Sequence, residues 1–347
     1  MDAWKVLCDL TEAQGVTGDE RPVSRVVERC FREYTDDVTR DAMGCVTAHL
    51  GDSGPRLIIC CHMDEVGLMV TRIEENGMLR LRAIGGVDAR ILPAMEVDIH
   101  GKEKVPGVIG ATPPHLLPGG TGKSYTIEEV ACDTGLSPEK VNELISVGDY
   151  VTYREQPPLR LLNRRLAGKT FDDRSLILAE LMAMEQLRGK KLRCRPAFTA
   201  TTQEEIGEWG AVIATRVNEA DLSFVMDVTH APSPGTKPTR VTPMDTVSIC
   251  VGNNIHPKLY EWLVRIAESE GIKYVPDACV GKTGTDAWQS QIQNGGIPTC
   301  LVSLPLRYMH TSVETIDLGT LENCARLLAR FILELDESWE EKLCLDD

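Results

Sequence analysis

Five short segments of this chain carry side chains that can bind a metal ion or move a proton, each where an apolar run ends or a helix begins. Residues 56–65, Arg-Leu-Ile-Ile-Cys-Cys-His-Met-Asp-Glu, pass from the composition of a buried strand straight into His62, Asp64 and Glu65. Asp172 and Asp173 stand just before a helical pattern in Gly-Lys-Thr-Phe-Asp-Asp-Arg-Ser. A strand-like run from Phe198 leads to Glu204 and Glu205, Ser-Phe-Val-Met-Asp-Val-Thr delivers Asp227, and an apolar run from Leu301 leads to His310. Singly, each has a structural explanation: Asp173 would cap a helix, and paired glutamates suit a solvated surface. Together they are harder to dismiss, because open α/β sheets collect their chemistry at the carboxyl ends of strands.

The set His62, Asp172, Glu205, Asp227 and His310 suits two divalent ions. Each ion would take one histidine and one terminal carboxylate, with one aspartate bridging. Mixed nitrogen and oxygen ligation with open positions is what catalytic zinc or cobalt needs, and manganese tolerates the same donors. Two ions ~3.5–4 Å apart can hold a hydroxide and polarise a carbonyl. Glu204 is left over as a general base on the water and an acid toward a leaving amine. In extended backbone, successive side chains point to opposite sides, so Glu205 can face a metal while Glu204 faces the reacting water. Asp64, two residues after His62, could hold that ring's other nitrogen.

The elements that must position these groups are legible as patterns. Residues 3–34 read as helix broken near Gly15–Gly18, and residues 45–51 and 56–61 as strands. From Gly67 to about Arg160, short strand-like runs separated by glycine and proline indicate a small β-barrel or sandwich inserted into the main domain. Ser137 caps a helix within it. After Leu166, strands near 195–202, 223–228 and 299–304 alternate with helices over 173–187, 209–217, 257–270 and 318–335. This texture predicts a mixed, largely parallel sheet covered by helices on both faces.

The chain has 347 residues, enough for a large core and two domains. Its formal net charge of −15 argues against general nucleic-acid binding and against anionic membranes. No apolar stretch approaches the ~20 residues needed to cross a bilayer, and the N-terminus reads as an amphipathic helix rather than a signal peptide. Twelve cysteines are scattered, several of them in apolar runs (Cys60, Cys61, Cys250, Cys300), without a Cys-x-x-Cys pair. They are expected to be free thiols in a cytoplasmic protein.

His-Met-Asp-Glu-Val-Gly, Asp-Asp-Arg, Gln-Glu-Glu-Ile-Gly, Met-Asp-Val-Thr and Arg-Tyr-Met-His-Thr resemble the motifs of the M42 metallo-aminopeptidases, which include glutamyl and tetrahedral (TET) aminopeptidases. Gly85-Gly-Val-Asp, Gly107-Val-Ile-Gly and Gly284-Thr-Asp-Ala extend the resemblance along nearly the whole chain. It implies a di-metal (di-zinc peptidase-like) α/β domain of residues 1–66 and 165–347, with residues 67–164 an inserted β-barrel domain that supports oligomerisation. By position, His62 and Asp227 would bind one metal and Glu205 and His310 the other. Asp172 would bridge, Glu204 would be the base and Asp64 would orient His62. Peptide substrates and a homo-oligomer, a dodecamer built from dimers, are the implied partners. Thr311 and Cys45 depart from the serine and asparagine common in relatives, and neither is a proposed ligand.

Other readings are weaker. Pro118-Gly-Gly-Thr-Gly-Lys-Ser lacks the first glycine of a phosphate loop, where Leu117 stands, so it reads as a glycine loop. There is no His-Glu-x-x-His motif for a thermolysin-like zinc site. A glycosidase would use paired carboxylates but leaves both histidines unexplained. His230 reads as a loop histidine near the pocket mouth. A non-catalytic oligomerising scaffold would not need these ligands. The close rival is a di-metal deacylase of N-acyl amino acids, since the same site can hydrolyse either amide.

Overall fold

A computed structural model describes residues 1–116 and 124–345 of the chain. Residues 118–123 of the glycine loop therefore lie outside the described residues. Helices α1 (Ala3–Glu12) and α2 (Arg21–Phe31) lead into β1 (Val38–Arg40), β2 (Val46–His49) and β3 (Arg56–His62). Next come β4 (Gly67–Ile73), β5 (Leu79–Ile84), β6 (Glu96–His100), β7 (Lys104–Ala111), β8 (Val130–Asp133), α3 (Pro138–Leu144) and β9 (Tyr150–Tyr153). A hairpin of β10 (Leu159–Arg160) and β11 (Arg165–Gly168) returns the chain to α4 (Phe171–Leu187), β12 (Arg195–Thr201), α5 (Trp209–Val217) and β13 (Leu222–His230). The remainder is β14 (Val247–Gly252), α6 (Pro257–Ser269), β15 (Tyr274–Cys279), α7 (Asp286–Ser290), β16 (Thr299–Leu306), β17 (Glu314–Asp317), α8 (Leu318–Glu334) and α9 (Trp339–Lys342).

Among the described residues the main sheet has eight strands, ordered β1-β2-β12-β3-β13-β16-β14-β15. The central four, β12, β3, β13 and β16, are mutually parallel, so their carboxyl ends lie together. β2 and β14 join this group antiparallel, from opposite sides. Both faces are covered, and the period-2 alternation of the strands feeds two cores. Along β3, Leu57, Ile59 and Cys61 enter the core under α1, α4 and α8, whereas Ile58 and Cys60 meet Ala214 of α5 and Ala287 of α7. β13 does the same, with Phe224 and Met226 on the first face and Val225 on the second. That parity puts His62, the last residue of β3, and Asp227, three residues before the end of β13, on one face of the sheet.

Helix α4 is apolar on nearly every side, because it runs between the sheet, α1 and α8. The insert is a closed barrel, β4-β5-β8-β7-β6-β9, with its own core around Val70, Leu81, Val97, Ile109 and Val151. Closure removes exposed strand edges. Its fifth strand in chain order, β8, lies outside the strand-like runs read from the sequence. β15 does as well; it is a half-buried edge strand, so it tolerates Pro276 and exposes alternate residues. No helix among the described residues is long and apolar enough to cross a membrane.

Cys250 corrects the expectation of free thiols. It is disulfide-linked to Cys279 with Cα atoms 6.3 Å apart, and the other ten cysteines are free. The parallel pairing of β14 with β15 sets Gly252 against Cys279 and so brings Cys250 within disulfide reach across 29 residues of sequence. Linear spacing could not show that.

Glu180 of α4 is fully buried, and among the described residues neither carboxylate oxygen has a hydrogen-bond partner. Burial pushes its pKa well above the ordinary value of 4.5. The folded state therefore holds this proton more tightly than the unfolded chain. The stability linked to it is full below pH 4.5 and is lost as pH rises toward the folded pKa. Glu180→Gln, which cannot ionise, should reduce the loss of stability between about pH 5 and pH 8 by on the order of 1–3 kcal/mol. Urea midpoints at the two pH values measure this, and parallel curves for both proteins would contradict it.

Candidate metal centre

Asp172 sits between two imidazoles. Its Oδ1 lies 3.0 Å from His62 Nε2, and its Oδ2 lies 3.1 Å from His310 Nε2. His62 arrives on β3, Asp172 at the start of α4, and His310 on the turn after β16. In each ring the other nitrogen meets a main-chain carbonyl: His62 Nδ1 lies 3.1 Å from the Asp64 oxygen, and His310 Nδ1 lies 3.1 Å from the Gly86 oxygen. An Nδ1–H donated to a carbonyl leaves the Nε2 lone pair directed inward, the tautomer a divalent cation needs.

Glu205 joins from the far side, its Oε1 3.3 Å from His310 Nε2. His62, Asp172 and Glu205 each offer a donor atom within 4.8 Å of the others, and His62, Asp173 and Asp227 form a second such group. The five predicted ligand positions are thus brought to one place from five separated stretches of chain. Glu204 stands beside them, its Oε2 4.0 Å from His62 Nε2. The two glutamates do not lie in extended backbone as expected. β12 ends at Thr201, Gln203 has φ +55°, and Glu204–Gly207 is a turn. They diverge because the turn splays them.

Asp64 meets the His62 ring at Nδ1 with its main-chain oxygen at 3.1 Å and its carboxylate Oδ1 at 3.5 Å. That carboxylate is occupied by three donors. It accepts from Thr17 Oγ1 at 2.8 Å, from the Glu204 amide at 3.1 Å and from the Glu205 amide at 3.3 Å. Asp64 therefore fixes the backbone from which both glutamates project.

Four residues contribute in ways that the sequence motifs do not assign. Glu314 accepts the His310 amide at 2.8 Å and the Asp172 amide at 3.1 Å, so one buried carboxylate ties two arms together. Asp173 accepts the His62 amide at 3.2 Å. Asp286, from Gly284-Thr-Asp-Ala, accepts from Thr201 Oγ1 at 2.6 Å, and burial pushes its pKa up to about 7. Gly86 belongs to the barrel insert, where no ligand-like residue type could signal it. A faint signal exists for Glu314, which follows His310 by four residues. His230 lies at the exposed end of β13, outside the donor groups.

Glu65 is spent elsewhere. Its Oε2 pairs with Lys169 Nζ at 2.6 Å and its Oε1 with Arg174 at 3.1 Å, all three side chains being buried. Burial alone would raise the Glu65 pKa, but the two cations outweigh it and hold the carboxyl below its usual range. Arg174 also donates to the main-chain oxygens of Met63 and Leu10, so the trio anchors the segment between His62 and Val66 to α1 and α4. Removing one partner strands buried charge, and Glu65→Ala should cost ~3–5 kcal/mol. Denaturant unfolding checks this, and a change under ~1 kcal/mol would show that the charges rehydrate.

The centre carries an excess of negative charge. Burial pushes Glu204 and Asp227 well above the ordinary carboxylate range, and like charges from Asp286 and other neighbouring acids add to it. Burial would lower the pKa of His310, but Asp172 and Glu205 outweigh it and hold the ring at about 11. A cluster that captures protons this strongly fits divalent cations in their place, and its donors are imidazole nitrogens and carboxylate oxygens, the set that zinc, cobalt or manganese accepts.

Residues 44–327 match the M42 glutamyl aminopeptidase family. The lysyl aminopeptidase of Pyrococcus furiosus is 32% identical over 341 residues, covering 96% of this chain and 97% of that protein. The glutamyl aminopeptidase of Lactococcus lactis is 27% identical over 338 residues, covering 94% of this chain and 95% of that protein. The fold is similar to that of a TET aminopeptidase from a marine sediment Thaumarchaeota archaeon, with TM-score 0.93, 28% identity and 99% of each chain covered. It is also similar to the Pyrococcus horikoshii TET1 peptidase, which can assemble into a tetrahedron or a large octahedral shell, with TM-score 0.85, 29% identity, 96% of this chain and 100% of that chain covered. With the match spanning all four central strands and both histidine arms, this chain belongs to the M42 glutamyl aminopeptidase family of peptidases.

Proposed function

We propose that this protein is a di-metal aminopeptidase that removes N-terminal residues from peptides. His62 and Asp227 would hold one divalent cation, Glu205 and His310 the other, and Asp172 would be shared. The observation that carries this reading is the two-sided placement of Asp172, one oxygen toward each imidazole. Zinc is our preferred assignment, with cobalt and manganese compatible with the donors.

Two divalent cations in this cluster would polarise the scissile carbonyl and acidify water. Glu204 takes the proton of the attacking water and returns it to the amine nitrogen that departs. Burial raises its proton affinity above that of an exposed carboxylate. Asp64 holds the Glu204 amide and so sets the base's position. A homo-oligomer accords with the relatives' assemblies, and we extend that organisation to this chain as a dodecamer built from dimers, with the barrel insert (residues 67–164) as the contact domain and residues 1–66 and 165–347 as the catalytic domain. A cytoplasmic location completes the proposal.

Glu204→Gln should lower kcat by ~10²–10⁴-fold while leaving the metal content per protomer unchanged. Near-normal activity in that variant would remove Glu204 as the base. Chelation should abolish hydrolysis, with recovery on adding zinc, cobalt or manganese. A panel of free-amine peptides should be cleaved and their N-acetylated forms spared. Cleavage confined to the acetylated forms would assign the protein to deacylation instead.

A further inference from the structure

The turn that carries His310 is held by its own catalytic-domain neighbours, with Glu314 accepting the His310 amide and Arg307 paired with Thr315, and also by the inserted barrel. Two residues of this turn, Tyr308 and His310, have φ near +60°, a conformation that needs outside support in non-glycine residues. Three contacts from the barrel add to it. Gly86 offers its carbonyl to His310 Nδ1 at 3.1 Å, Tyr153 donates its hydroxyl to the His310 carbonyl at 3.2 Å, and Met95 Sδ lies 3.9 Å from Ser312 Oγ.

The approach at Gly86 is close. A Cβ there would lie 2.7 Å from His310 Nδ1 and 2.9 Å from Cε1, well inside contact distance. At neighbouring Gly85, a Cβ would lie 3.3 Å from Glu205 Cβ. The loop after β5 therefore packs against both residues proposed to share one cation. An alanine at Gly86 must push either the imidazole or its own loop, and the ring is the group with a defined task.

We infer that the barrel is a working part of the metal centre, with Gly86 and Tyr153 as positioning residues that aim His310 at the second cation. The inference rests on the ligand assignment proposed above. Gly86 fixes the tautomer and direction of the ring through its carbonyl, and its missing side chain makes the approach possible. Tyr153 holds the backbone of the turn, so the barrel grips His310 at both ends.

Zinc titration of metal-free protein by calorimetry, with bound zinc counted by elemental analysis, tests this without reference to turnover. Wild-type protein should bind two ions per protomer. Gly86→Ala should keep the first and bind the second ~10–100-fold more weakly, with the thermal midpoint of the metal-free form unchanged. Tyr153→Phe should weaken the same ion in the same direction, and it carries the test if the alanine variant does not fold. Gly110→Ala is the barrel control, since none of the described residues lies within 4 Å of its absent Cβ, and it should titrate as wild type. Two wild-type affinities in Gly86→Ala or, should that variant not fold, in Tyr153→Phe would overturn the inference while leaving the ligand assignment intact. Wild-type protein that binds no zinc, cobalt or manganese would overturn the assignment itself.

Discussion

A desolvated carboxylate, Asp172, faces two imidazoles at once, and the rest of the site is arranged around keeping it there. Buried acids repel one another and resist ionisation unless positive charge is supplied. Here the sheet delivers Asp227, the turn after β12 delivers Glu204 and Glu205, and α4 delivers Asp172, all against two histidines. Protons can satisfy that excess, and divalent cations do so with geometry as well as charge. The same low-dielectric surroundings that make the cluster costly would strengthen every interaction with a bound ion.

Such a cluster persists because its supports are saturated separately from it. The carboxylate of Asp64 accepts three donors, Glu314 accepts the amides of His310 and Asp172, and Glu65 is neutralised by Lys169 and Arg174. These acids lie in the same segments as the candidate ligands, yet none competes for their place. Each is committed to a main-chain amide or a buried cation, which leaves the inward-facing atoms free. The division of labour is geometric: residues of the same type, one or two positions apart, are separated by where the backbone turns.

Much of the candidate site is legible in the amino-acid sequence. A histidine or carboxylate at the end of an apolar strand shows as an abrupt change of composition, and His62, Asp227 and His310 stand out in that way. Asp172 and the paired glutamates stand out by their position against a helix and a strand. The layered α/β fold and the barrel insert are legible too, because strand and helix periods survive in long segments such as β3, α4 and α8. β8 and β15 are not: in β15, Pro276 and Asp277 break the apolar composition that marks a strand. The splay of Glu204 and Glu205, expected from extended backbone, arises instead from a turn with Gln203 at positive φ.

By itself, then, the amino-acid sequence determined which residue types stand at strand ends, how the strands alternate, and hence which donors can exist. Tertiary structure alone decided what those donors touch. It made the Asp64 carboxylate a brace for two amides as well as a neighbour of the His62 ring, joined Cys250 to Cys279, and brought Gly86 from the barrel against His310. The physical reason is the same in each case. Local periodicity is written in neighbouring residues, whereas a hydrogen bond or a close approach depends on segments whose separation in sequence carries no record of their distance in space.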